Sequence, residues 1–188
     1  YAFLEISKKI KLYPQITEIM IEKTFAYFQH NKHSFSLNLS FSDILNERTR
    51  KFLFLKIDEC ALASRLTIEI LETQEPENEA AILSFTKEIY ACGANIAIDD
   101  FGSGYANFQH MTTIKSDFMK IDGSLIKNMD KDDNARLIVE TIIVFAQKLR
   151  KKTVAEFVHS KEIYEIVKEL GIDYAQGYYI GMPLEQTL

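Results

Sequence analysis

The strongest constraint on the fold is a repeated alternation between short apolar runs rich in β-forming residues and longer amphipathic stretches. From Ser34 onward, the short runs are FSL, LTI, NIAI, DFM, TVA and DYA. Polar or acidic residues follow each run, and then comes a stretch long enough for a helix. This order predicts βα units and therefore a parallel sheet.

The longer stretches show the apolar period of a helix that buries one face. Apolar residues recur at this spacing over residues 138–149 and 163–170, and both stretches are predicted to be helices. Residues 14–29 are predicted to form a further helix with a broad apolar side that contains Ile16, Met20, Ile21, Phe25 and Phe28. Pro14 is tolerated near the start of this helix. Gly93 and Gly171 are each predicted to end a helix in the left-handed conformation.

Composition limits the classes of partner and compartment. The net charge of -5 argues against binding dominated by electrostatic attraction to DNA or anionic lipid, so a phosphate ligand would need a local site. The chain has two cysteines, too few for a disulfide framework, which favours the reducing cytoplasm. No apolar run approaches the roughly 18 residues of a membrane span. The cytoplasmic part of a larger, membrane-bound protein would also fit.

A polar residue stands at the downstream end of every apolar run: Asn38, Glu69, Asp99 with Asp100, Lys120, Glu156 and Gln176. In a parallel sheet or a (β/α) barrel these ends lie on one face, where such folds bind ligands. Taken singly, each residue is better explained by a turn or by exposure to solvent. Four converging carboxylates, however, would repel one another unless a cation neutralised them. Oxygen donors favour Mg²⁺ or Mn²⁺, and the histidines lack the spacing of zinc ligands.

Asp99 and Asp100 are neighbours, and neighbours in a regular strand point to opposite faces of the sheet. Both can reach one metal site only if the chain turns there, and Gly102 and Gly104 supply residues for a turn. Two metal ions bridged by one aspartate would lie about 3.5 to 4 Å apart, which suits in-line cleavage of a phosphodiester. Lys120 would either place a positive charge beside the phosphate or form a salt bridge to one of these carboxylates.

The sequence resembles the EAL family of cyclic di-GMP phosphodiesterases through motifs that occur in the family's order: LNLS, IEILE, IDDFGSGYANF, MKID, TVAEFV and AQGYYIGMPL. The combination is specific, whereas a piece such as KID alone carries no information. The resemblance implies an α/β fold, a TIM-type (β/α) barrel. It implies an enzyme that hydrolyses cyclic di-GMP to linear pGpG with two divalent cations, Mg²⁺ or Mn²⁺. A homodimer is also implied, and sensor or GGDEF-type domains would lie outside this chain.

The resemblance also assigns roles to individual residues. The metal ligands would be Asn38, Glu69, Asp99, Asp100 and Glu156. Lys120 would orient the attacking water and the phosphate, and Gln176 would support that water. Glu156 has a second interpretation as general base, and the sequence does not separate its two roles.

Further residues are implied around these. Glu72 would hold the DDFGSG loop in its working position. Asp122, Tyr178 and Pro183 would contact the substrate.

The chain also departs from the family. Tyr1 falls downstream of the opening strands, including the one with the Glu-Ala-Leu motif, so we expect about six of eight strands in one truncated domain over residues 1–188, without an internal boundary. The family's AEGVET is AEFVHS here: Phe157 replaces a glycine and is expected to narrow the pocket, and His159 replaces an acid. Leu71 replaces a threonine. These changes favour an alternative, a catalytically degenerate domain that acts as a cyclic di-GMP receptor or a protein-interaction regulatory module. An unrelated metal hydrolase on a similar barrel is a third hypothesis.

Overall fold

The structure, a computed structural model, describes residues 12–71, 79–103 and 112–184. These residues form two compact units, the first from residues 12–71 and 79–95 and the second from residues 96–103 and 112–184. The absence of an internal domain boundary therefore stays a prediction. Among the described helices, none is long and apolar enough to cross a membrane.

The first unit contains helices around a pair of strands. Its elements are α1 (Tyr13–Phe28), β1 (Phe35–Leu39), α2 (Phe41–Leu45), α3 (Glu47–Cys60), a 3-10 turn (Ala63–Arg65), β2 (Leu66–Leu71) and α4 (Glu79–Ala91). Strands β1 and β2 are parallel. Every second residue of β1 is buried, as expected for a strand that packs on helices through one face.

Aromatic packing and one arginine fix the end of α1 in this unit. The Phe28 ring stacks on the Phe35 ring at a centroid distance of 4.4 Å, and Phe25 meets Phe35 edge-on at 5.7 Å. The Arg65 guanidinium donates to the carbonyl oxygens of Phe28 and Asn31 at 2.9 and 2.7 Å. A cation at this position complements the negative end of the helix dipole and satisfies carbonyls that have no partner in the helix.

The second unit is a parallel sheet with helices packed on it. Its elements are β3 (Asn95–Phe101), β4 (Phe118–Ile121), α5 (Gly123–Ile126), α6 (Asp133–Lys148), β5 (Lys152–Ala155), α7 (Lys161–Glu169) and β6 (Tyr174–Ala175). Strands β3 to β6 pair in chain order, all parallel. The core includes fully buried apolar residues from the strands and from α6: Ile98, Met119, Ile121, Val139, Ile142 and Ala155.

An aspartate just before a strand aligns that strand with its neighbour, and the device occurs twice in the second unit. The Asp117 carboxylate accepts a hydrogen bond from the Ile96 amide at 2.9 Å, which aligns the starts of β3 and β4. The Asp173 carboxylate accepts from the Thr153 amide at 2.8 Å and does the same for β5 and β6. These bonds satisfy amides at the amino ends of strands, where the ladder provides no partner.

The predicted elements are confirmed. All six apolar runs lie in or beside strands, and the three predicted helices correspond to α1, α6 and α7. Gly93 and Gly171 follow helices with φ angles of +86° and +71°, in the left-handed region that glycine adopts without strain.

Candidate active site

Asn38 and Glu69 occupy matching positions in the first unit. They lie opposite each other in the parallel register of β1 and β2, so their side chains leave the same face of this strand pair. Asn38 is exposed, whereas Glu69 is buried. The structure therefore brings these two predicted metal ligands together. Their role stays a prediction.

Asp99 and Asp100 lie at the carboxyl end of β3, where the strand becomes irregular. Asp100 has a φ angle of +56°, and the register with β4 shifts between Ile98 and Phe101. This left-handed residue breaks the alternation of side chains, so adjacent carboxylates can reach one site. The predicted turn is confirmed, but it begins at Asp100, before the glycines. Gly102 continues it with a φ angle of +98°, and Gly104 lies outside the described residues.

Three carboxylates and one ammonium group form the centre of the site in the second unit. Oxygen atoms of Asp99, Asp100 and Glu156 all lie within 4.8 Å of one another. The Lys120 ammonium lies 2.7 Å from Asp99 Oδ1 and 2.7 Å from Glu156 Oε1. The salt bridge that the sequence allowed for Lys120 is therefore present, and it joins two carboxylates instead of one.

The electrostatics of this cluster favour a cation. Burial raises the pKa of Glu156, an effect that Lys120 opposes and that the charges of Asp99 and Asp100 reinforce. Burial also raises the pKa of Asp100, and the charges of Asp99 and Asp122 add to the shift. Both shifts mean that the ionised carboxylates repel one another in a poorly solvated place. A divalent cation would relieve this repulsion, and closely spaced carboxylate oxygens are the donors that Mg²⁺ and Mn²⁺ prefer.

Asp122 follows β4 and Gln176 follows β6, on either side of β5 and at the same edge of the sheet. The backbone N–H of Gln176 donates to the Ala155 carbonyl at 2.8 Å, and the backbone carbonyl of Gln176 accepts from the Val158 N–H at 2.9 Å. These bonds hold the backbone of Gln176 beside the segment that carries Glu156. Asp122 caps α5, since its carboxylate accepts from the Ser124 amide at 2.9 Å.

Gly177 is required by a close approach of two backbone segments. A Cβ atom at this position would lie 2.3 Å from the Val158 carbonyl oxygen, and the φ angle is +153°. Any side chain would push the Gln176 segment away from the loop after β5. The glycine of the AQGYY motif therefore has a steric reason to be there.

The loop after β5 contains the main departure from the family pattern. Phe157 adopts a φ angle of +54°, a conformation that glycine accepts freely and that a bulky residue rarely adopts. The glycine that the family motif has here therefore matches the backbone geometry. Gly123 leaves room for the Phe157 side chain, since a Cβ atom at Gly123 would be 2.8 Å from the Phe157 Cβ.

A cavity of about 300 Å³ opens beside Glu156. Its other lining residues are Gly123, Phe157, His159, Gln176, Gly177 and Tyr178. Phe157 was expected to narrow the pocket; it forms one wall, and space for a ligand group remains. Tyr178 lines the same cavity, as its predicted contact with the substrate requires.

Other predicted residues have a less direct relation to this centre. Pro183 is exposed and does not line the cavity, and Glu72 lies outside the described residues. Two residues near the cavity were not predicted: Gly123, and Lys127, whose ammonium lies 5.9 Å from the centre of the Phe157 ring. The MKID motif just before Gly123 was the signal in the sequence that could have drawn attention to this segment.

Comparison with known protein families assigns the chain to one family. The EAL domain family matches residues 1–183. The chain belongs to the EAL domain family. Among curated EAL relatives, the cyclic di-GMP phosphodiesterase PdeB of Shewanella oneidensis is 31% identical over 187 residues, which cover 96% of this chain and 22% of that protein. The cyclic di-GMP phosphodiesterase PdeF of Escherichia coli is 32% identical over 188 residues, which cover 97% of this chain and 25% of that protein. The chain thus spans about a quarter of the length of these relatives.

Solved EAL structures share the fold. The phosphodiesterase PaMucR in complex with c-di-GMP superposes with a TM-score of 0.88 at 25% identity, and the match covers 97% of this chain and 77% of that one. The FimX EAL domain of Xanthomonas citri in complex with c-diGMP gives a TM-score of 0.88 at 18% identity, over 100% of this chain and 77% of that one. The prediction of an incomplete TIM-type barrel is confirmed, with six strands in the described part of the chain.

Proposed function

We propose that this EAL domain belongs to an enzyme that hydrolyses cyclic di-GMP to linear pGpG with two divalent cations, Mg²⁺ or Mn²⁺. The observation that carries the proposal is the cluster of Asp99, Asp100 and Glu156 around the Lys120 ammonium. Three carboxylates and one ammonium leave a net charge of -2 when all are ionised. That negative charge would attract divalent cations, and the bound cations would in turn bind a phosphodiester. The names of the curated relatives agree with this activity.

The proposed roles are those that the family resemblance assigns, and the geometry of the carboxylate cluster supports part of them. Asp99, Asp100 and Glu156 would hold cations. Asn38 and Glu69 are proposed as further cation ligands from the family resemblance. The cations would neutralise the phosphate and lower the pKa of the attacking water. Lys120 forms ion pairs with Asp99 and Glu156. It would place positive charge near the phosphate and orient the attacking water.

Three proposed roles concern groups around this centre. Gln176 would support the attacking water from the loop after β6, and Glu72 would anchor the DDFGSG loop. Asp122, Tyr178 and Pro183 would contact the substrate.

The test is turnover of cyclic di-GMP by the full-length protein that carries this chain, with Mg²⁺ or Mn²⁺. We expect linear pGpG as the product, and we expect the Glu156→Gln variant to lose at least about 100-fold in kcat, since a ligand and candidate base would be gone. A folded, metal-loaded protein that leaves cyclic di-GMP intact would contradict the proposal.

A second candidate is a receptor that binds cyclic di-GMP, or a partner protein, without cleaving it. The observation that favours it is the AEFVHS segment, where Phe157 forms a cavity wall and His159 replaces an acid. Binding measured by calorimetry in the presence of metal separates the two candidates. A receptor binds without forming product, whereas the enzyme forms pGpG.

The proposal extends to assembly and compartment. A homodimer is proposed from the family resemblance, and light scattering of the full-length protein tests it. A cytoplasmic position, with sensor or GGDEF-type domains in the same protein, is proposed because cyclic di-GMP is an intracellular messenger. The two free cysteines, Cys60 and Cys92, are compatible with a reducing compartment.

A further inference from the structure

Phe157 is strained and partly exposed at the same time. Its φ angle of +54° costs free energy for any residue with a Cβ, and 51% of the residue is accessible to solvent. Its own packing therefore offsets only part of the strain, because half of the residue stays in contact with water. A strained residue that persists beside a charged centre suggests a role in ligand binding.

Three aromatic residues, Phe157, His159 and Tyr178, line the cavity. The His159 ring lies 5.5 Å from the Phe157 ring, and the Lys127 ammonium lies 5.9 Å from the same ring. Tyr178 also lines the cavity and is 66% exposed. Gly123 and Gly177 contribute no side chains, so the wall available to a ligand is mostly aromatic.

The cavity is also continuous with the charged centre, since Glu156 belongs to both. Phe157 follows Glu156 directly, and Glu156 is ion-paired to Lys120. A ligand with a phosphodiester at the cations can therefore place an attached flat ring against Phe157. A cavity of about 300 Å³ lies at the lower end of the size range of small-molecule sites, and this volume suits one nucleobase.

We propose that Phe157 is a specificity-determining residue that stacks on one purine base of the cyclic dinucleotide. This inference rests on the proposed function, because it takes its ligand from it. The glycine of the family motif has no side chain and cannot provide such a surface. Base stacking on an aromatic ring adds affinity without a particular hydrogen-bond partner. Because a larger base offers more stacking area, the ring favours purines over smaller bases.

The test compares Phe157→Leu and Phe157→Trp in the full-length protein with cyclic di-GMP as the ligand. Leucine keeps an apolar side chain and the same backbone demand but loses the flat ring, whereas tryptophan keeps a larger ring. We expect Phe157→Leu to raise KM, and Kd measured with Ca²⁺ in place of Mg²⁺, by about 5- to 30-fold. Phe157→Trp is expected to bind as tightly as the wild type or more tightly. The effect should fall mainly on KM and Kd, because the ring does not contact the reacting atoms.

The matched control is Tyr174→Leu. Tyr174 is an exposed aromatic residue of the same unit that does not line the cavity, so its replacement is expected to leave KM unchanged. Thermal melting of each variant shows whether it is folded. If a folded Phe157→Leu protein binds cyclic di-GMP as tightly as the wild type, the stacking role is wrong.

The same measurements separate this inference from the proposed function. Tight binding without turnover by the wild type would contradict the enzyme, and the Kd of Phe157→Leu would still decide the stacking role. If the folded, metal-loaded wild type neither bound nor cleaved cyclic di-GMP, both proposals would be overturned.

Discussion

Lys120 is a single side chain that balances two carboxylates, the buried Asp99 and the half-buried Glu156. Its ammonium lies 2.7 Å from both Asp99 and Glu156, and only 5% of the residue is exposed. Removing one partner of a buried ion pair leaves charge uncompensated, which costs far more than losing a surface pair. Lys120 is therefore important for the metal-free protein, whatever its part in catalysis.

We expect Lys120→Met to lower the free energy of unfolding of the metal-free protein by about 3 kcal/mol at neutral pH. The loss should shrink in acid, where Glu156 is protonated and needs no partner. Denaturant unfolding at two pH values measures it, with the exposed Lys148→Met as a control that costs less than about 0.5 kcal/mol. Equal losses for both variants would show that the Lys120 ion pairs contribute little.

At the scale of elements, the start of α5 and the loop after β5 depend on each other. Phe157 holds a left-handed conformation, and Gly123 leaves the space that the Phe157 Cβ occupies. Neither motif explains this fit alone, because MKID and AEFVHS lie more than 30 residues apart in the chain. Their contact determines the shape of the cavity beside Glu156.

A double-mutant cycle tests this contact. Gly123→Ala places a Cβ 2.8 Å from the Phe157 Cβ, so we expect it to destabilise the protein by about 1 to 3 kcal/mol. In a Phe157→Gly background the clash is absent and the cost should largely disappear. Denaturant unfolding of the four proteins gives the coupling energy. Gly181→Ala is the matched control, because a Cβ there meets nothing within 4 Å. Additive effects of the two substitutions would contradict the dependence.

At the scale of the whole molecule, we expect the carboxylate cluster to link stability to pH and to metal. The pKa values of Asp100 and Glu156 are raised above their ordinary values of 3.8 and 4.5. Between the ordinary and the raised values, the folded protein binds more protons than the unfolded chain. The contribution of Asp100 and Glu156 to the stability of the metal-free protein should therefore fall as the pH rises from their ordinary pKa values through the raised ones.

Divalent metal should reverse this effect, since it binds the ionised carboxylates. We expect Mg²⁺ at about 100 times its Kd to stabilise the full-length protein by about 2.7 kcal/mol at neutral pH, and much less at pH 4. Thermal melting with and without Mg²⁺ measures this. The Asp100→Asn, Glu156→Gln double variant is the control and should lose most of the stabilisation by Mg²⁺. Equal stabilisation of wild type and control would place the metal elsewhere.

The sequence alone determined the parallel α/β architecture and the residues that could carry chemistry. Apolar periodicity is a local property, so α1, α6 and α7 were predictable within a few residues, and the order of motifs indicated the EAL family. Register then placed Glu156 and Gln176 at one edge of the sheet, as expected for residues that follow parallel strands.

Tertiary structure decided how the side chains at that edge meet. The left-handed conformation of Asp100, the double ion pair of Lys120 and the fit of Phe157 against Gly123 depend on distances between segments far apart in the chain. A substitution such as glycine to Phe157 is visible in the sequence. Whether the Phe157 ring blocks the cavity or forms one of its walls depends on the distance to the backbone at Gly123. An apolar pattern in the sequence does not give that distance.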